Sequence, residues 1–115
     1  MALVFYTNRL VPARFDALTI GPAILMRPRC RGDIGLLEHE LVHVRQWRRS
    51  FGLFWVLYLF SRKHRLKYEL EAYRRHLEFA PDNVAHFAQL LGTQYRLNVP
   101  VEEAYRLLVE VCVEP

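Results

Sequence analysis

Two histidines and a glutamate stand in the order H-E-x-x-H at positions 39, 40 and 43, inside the stretch Leu36–Trp47, LLEHELVHVRQW. At about 100° per residue of an α-helix, His39 and His43 fall one turn apart on one face, so both imidazoles can reach a single ion. Glu40 stands beside His39, where it can address a water at that ion. The chemistry implied is zinc-assisted hydrolysis. A plainer alternative is an exposed polar stripe. Against it, Leu41 and Val42 separate the histidines, and Leu36 and Trp47 flank them where a solvated run would carry lysine or glutamate. Two core histidines would each need partners for their ring nitrogens, and one metal satisfies both rings at once.

A catalytic zinc ordinarily takes three protein ligands and a water. The extended three-histidine pattern is absent, because His43 is followed by VRQWRR. Downstream candidates are His64, His76, His86, Glu69, Glu71 and Glu78. In RKHRLKYELEAYRRHLEF, Glu69, Tyr73 and His76 share one helix face through i+4 and i+7 spacing, and Glu71 projects about 200° away from Glu69. Glu69 is therefore the expected third ligand, with His39 and His43.

H-E-L-V-H at 39–43 followed by E-L-E-A at 69–72 resembles the gluzincin-type zinc metallopeptidases, among them the very small minigluzincins and related membrane-protease catalytic cores with an E-x-x-A-D signature. The resemblance covers residues 36–73 at most. It implies Zn2+ as the cofactor, Glu69 as the glutamate three before Ala72, and a peptide or protein as the substrate. It also implies a small zincin-like α+β domain, with an active-site helix and a glutamate helix beside a short sheet whose edge aligns the substrate. Where the signature has an aspartate this chain has Tyr73, which removes a carboxylate that would orient a ligating histidine. Tyr73 or His76 would then serve catalysis by hydrogen bonding to the oxyanion, and helix packing is the alternative for both. In the implied mechanism Glu40 takes a proton from the attacking water and passes it to the leaving amine.

The elements that must position these groups are readable from pattern. Ala2–Tyr6 reads as a strand broken by Asn8, Arg9 and Pro12. Phe15–Ile20 and Ala23–Met26 read as a hairpin about Gly21-Pro22, giving a short antiparallel sheet with Ala23–Met26 as the edge that would receive substrate. Asp33 is placed as N-cap of the motif helix, which runs to about Arg49 with Leu37, Leu41 and Val44 on its apolar face. The second helix starts at Arg62, carries Leu66, Leu70, Tyr73 and Leu77 in a stripe, and ends at Pro81. Asp82 would cap a short helix that Gly92 stops, and Pro100 introduces a last helix over Glu102–Val111 with Ala104, Leu107, Leu108 and Val111 facing the core.

Between the two site helices lies FGLFWVLYLF, residues 51–60, bracketed by Arg48-Arg49 and Arg62-Lys63. It is too short to span a bilayer, which takes about 20 residues. The favoured reading is a core segment under the motif helix; the alternatives are peripheral contact with a membrane and an apolar wall for a substrate.

At 115 residues, 52% hydrophobic and 24% charged, the chain has room for one minimal domain spanning 1–115 and shows no disordered or repetitive segment. The charge of +4 permits an anionic partner, and the basic residues concentrate in the middle third. No nucleic-acid motif accompanies them, so nucleic acid is not expected as a partner. Cys30 and Cys112 make no C-x-x-C pair, and the N-terminal residues do not form a signal peptide, so the expected location is cytoplasmic. Two other function classes compete with peptidase: an inactive zinc-binding structural or assembly module, and a basic module binding nucleic acid or a membrane surface. The oligomeric state is not written in the sequence.

Overall fold

The computed structural model describes residues 2–113, with side chains described for residues 2–110. It is an α+β arrangement of three strands followed by five α-helices: β1 Leu3–Tyr6, β2 Ala17–Ile20, β3 Ala23–Met26, α1 Ile34–Arg49, α2 Phe54–Phe60, α3 Arg62–Leu77, α4 Val84–Thr93 and α5 Val101–Val113. Strands β2 and β3 form the expected hairpin, with Gly21 at φ 59° in its turn. β1 joins the other side of β3 and runs parallel to it, so the sheet order is β1-β3-β2. Ala23–Met26 is thus the central strand and not the substrate edge. The edge next to α1 is β2.

A parallel β1 requires the chain to cross from one side of the sheet to the other between residues 7 and 16. Arg27 organises that crossing: its guanidinium donates to the carbonyls of Val11, Pro12 and Phe15 and to Asn8 Oδ1. A single cation thereby satisfies backbone acceptors of a segment with no ladder of its own.

Helix α1 begins where the Asp33 carboxylate accepts from the Leu36 amide at 3.1 Å, the N-cap the sequence predicts. Its apolar side, Val44 with Leu37 and Leu41, packs on Ala17, Ile24 and Met26 of the sheet. Helix α3 is capped by Ser61, which accepts from the His64 amide. Its Leu70 and Leu77 join Phe87, Leu91, Ala104 and Leu108 in a second core built with α4 and α5. The interface between α1 and α3 lies between these two cores. There the His76 ring of α3 lies directly on Gly35 of α1, where a Cβ would meet His76 Cδ2 at 2.7 Å.

Three local expectations change. Asp82 sits within a 3-10 turn, Pro81–Asn83, and Asn83 occupies the α4 N-cap position without a side-chain capping bond. Gly92 lies inside α4, where a Cβ would strike Val101 Cγ2 at 2.6 Å; its role is close passage of α5. The 51–60 run is not a core segment. Only Phe54 is buried, while Phe51, Leu53, Val56, Leu59 and Phe60 are exposed, because α1 and α3 pack directly on each other and leave α2 one side to cover. The Val111 side chain lies outside the described residues, and Cys30 is a free thiol.

Candidate metal centre

His39 and His43 project from α1 toward Glu69 on α3. Glu69 Oε1 is 3.3 Å from His43 Nε2 and 3.6 Å from His39 Nε2, and the candidate ligand atoms of the three residues all lie within 4.8 Å of one another. All three side chains are buried. This His-His-Glu group can hold a metal ion. The fit has a specific signature: Glu69 Oε1 is buried and makes no hydrogen bond. The two Nε2 atoms face it at ion-pair distance, and a cation among the three would satisfy all of them at once.

The electrostatics favour positive charge at this point. Burial disfavours ionisation of Glu69, but the two imidazoles facing it outweigh burial and hold its carboxyl well below the usual range. Burial likewise pushes His43 down, yet the charge of Glu69 prevails and raises it to about 9. A carboxylate able to retain a proton on a buried imidazole is equally able to draw a metal cation in its place.

Each group has a support. The Gln46 amide nitrogen donates to Tyr68 O and to Glu71 Oε1, which fixes the amide orientation and turns its oxygen to His43 Nδ1 at 2.8 Å. That oxygen can only accept, so Nδ1 carries the proton and Nε2 is the nitrogen presented to Glu69. Glu71, weighed as a ligand from sequence, instead closes this outer chain by pairing with Arg49 at 2.7 Å. Tyr58 donates to Glu69 Oε2 at 2.5 Å, leaving Oε1 for the histidines. Burial, and then the charge of Glu69, push the Tyr58 phenol far up, so it remains a neutral donor. Arg65 steadies this part of the wall by donating to the carbonyls of Tyr58 and Tyr95.

Glu40 is buried beside the triad but outside it, with Oε2 3.7 Å from His39 Nε2. Thr19 of β2 donates to Glu40 Oε1 at 2.7 Å, so one carboxylate oxygen is tethered and the other is turned toward the histidines. Tyr73 lays its ring edge on His39, 4.4 Å between centroids, and turns its hydroxyl to Tyr95 Oη at 2.6 Å. His76 brings Nδ1 to 3.4 Å from His39 Nδ1. Burial and the neighbouring His39 charge lower His76 to about 4, leaving a neutral ring that can accept from His39. His76 therefore stands where an orienting acceptor for His39 is needed, the place left open by Tyr73. Of the other histidines, His64 bonds Ser61 at the start of α3, and His86 borders a cleft without reaching the triad.

Two clefts meet at His39 and Glu40. One, about 60 Å³, is bounded by Leu18, Phe54, Trp55 and Tyr58; the other, about 340 Å³, is bounded by Arg14, Asp33, Tyr73, His76 and His86. Tyr58, Thr19 and Gln46 escaped sequence reasoning. Tyr58 was hidden in an apolar run and Thr19 in a strand, but Gln46, at i+3 from His43 on the motif helix, carried a legible signal.

In comparisons with family models, with curated proteins and with solved structures, nothing matches this chain.

Proposed function

We propose that this chain is a zinc-dependent peptidase. The observation that supports the reading best is Glu69 Oε1, buried without a hydrogen bond opposite two Nε2 atoms, with a non-ligating glutamate tethered alongside. His39, His43 and Glu69 would hold the ion. Zinc bound there would supply Lewis-acid polarisation of a peptide carbonyl and lower the pKa of water.

The chain's own residues do the rest. Glu40, anchored through Oε1 by Thr19, accepts the water proton at Oε2 and delivers it to the departing amine nitrogen. Gln46 and His76 hold the two imidazoles in orientation, and Tyr58 holds the ligand carboxylate. A substrate lying across both clefts passes His39 and Glu40, with β2 as the nearby sheet edge. An inactive metal module would have no use for a glutamate tethered beside the ligands, which favours the enzyme.

The test is Glu40→Gln against His39→Ala, assayed for metal content and for cleavage of an unbiased peptide library. The first should keep metal and fold and lose cleavage, and the second should lose both. A zinc-loaded wild-type chain that cleaves no peptide in the library would replace the enzyme with the inactive metal module.

A further inference from the structure

From α1 to α3 the chain presents an apolar surface that folding does not use. Phe51 is 95% exposed at the α1–α2 junction and Phe60 85% exposed at the other end of α2, with Leu53, Val56 and Leu59 exposed between them. Phe51 also sits at φ 53°, a left-handed conformation unusual for an aromatic residue. A bulky ring is thus held in a disfavoured backbone region and pointed into solvent.

The charge around this surface is mostly positive, with Glu71 the acidic group that borders it, paired with Arg49. Between Glu40 and Glu69 there is no Asp or Glu, and there are seven Arg or Lys. Arg48 and Arg49 precede the apolar run across Ser50, Arg62 and Lys63 follow it across Ser61, and all four cations are exposed. Arg49 and Lys67 also border one depression with Leu57, so cationic and apolar groups adjoin in space as well as in sequence. Arg49 is shared with Glu71 and Arg65 is committed to backbone carbonyls, but Arg62, Lys63 and Lys67 enter no ion pair among the described residues.

We propose that the Phe51–Phe60 surface docks on an anionic lipid bilayer, with Phe51, Leu53, Val56, Leu59 and Phe60 entering the interface and the flanking cations meeting lipid headgroups. Protein interfaces deplete lysine around their apolar centres, whereas an interfacial membrane contact needs apolar wedges ringed by cations. No helix among the described residues is long and apolar enough to cross a membrane, so the contact is peripheral. None of these five side chains borders the clefts; Phe54, Trp55 and Tyr58, on the other side of the same helix, do.

The test is flotation of the full chain with vesicles of phosphatidylcholine mixed with phosphatidylserine, and with vesicles of phosphatidylcholine alone. Binding should favour the mixed vesicles by at least about tenfold and weaken as salt rises. The double variant Phe51→Ser, Phe60→Ser should lose at least about tenfold in affinity while keeping the parent's circular dichroism and metal content. Arg62→Gln and Lys63→Gln should each lose about fivefold. Absence of flotation with the mixed vesicles at low salt overturns the proposal. So does flotation that the phenylalanine substitutions leave unchanged, which would be adsorption of a basic protein. A concentration-dependent dimer abolished by the same substitutions would assign the surface to a second copy of the chain.

Discussion

Tyr58 and Glu69, eleven positions apart on consecutive helices, are joined by a 2.5 Å hydrogen bond that occupies Oε2 and leaves Oε1 to face both histidines. Removing only that hydroxyl, as Tyr58→Phe, should preserve the fold and weaken metal binding by about 10–100-fold, the usual effect of losing a partner that orients a ligand. Competition with a chelator measures it. Unchanged affinity would reduce Tyr58 to a packing residue.

Glu69→Ala should abolish stoichiometric metal binding, and Glu71→Ala should retain it. Glu71 reaches the site only through Gln46, which keeps its bond to Tyr68 O when Glu71 is truncated. Metal analysis of the two purified variants decides the matter. Full metal content in both would remove Glu69 from the ligand set.

Thr19→Val tests the tether on Glu40. Loss of a hydrogen bond to a charged group costs about 1.5–3 kcal/mol, so peptide cleavage should fall by roughly tenfold or more with metal content unchanged. Thr19→Ser restores the hydroxyl and should restore cleavage. A drop that serine does not rescue would mean that the threonine acts through packing.

Helix α2 has two unlike sides, which two single substitutions separate. Phe54 is 2% exposed and packs against His43 and Tyr68, so Phe54→Asp buries an unpaired charge and should cost more than about 4 kcal/mol. Leu59→Asp lies on the exposed side and should change stability by no more than about 0.5 kcal/mol. Urea denaturation of both variants supplies the comparison, and similar losses would return the whole run to the core.

The parts legible in the sequence are those set within one element. The Asp33 cap, the one-turn spacing of His39 and His43, and the shared face of Glu69, Tyr73 and His76 follow from helical periodicity, and the hairpin follows from Gly21-Pro22. What stayed hidden was decided between elements. The parallel placement of β1 depends on a crossing held by Arg27, many residues away in sequence. The exposure of α2 depends on α1 and α3 packing together, and its apolar composition alone reads as core. Thr19 meets Glu40 only because β2 is an edge strand beside α1.

Gly35 contributes no side chain to the centre, yet it leaves the space in which the His76 ring lies against His39. The orientation of one imidazole in the triad is therefore set partly by a hydrogen atom on the neighbouring turn of its own helix. A residue with a Cβ there would push the His76 ring off His39 and free that imidazole to rotate, while every coordinating side chain stayed the same.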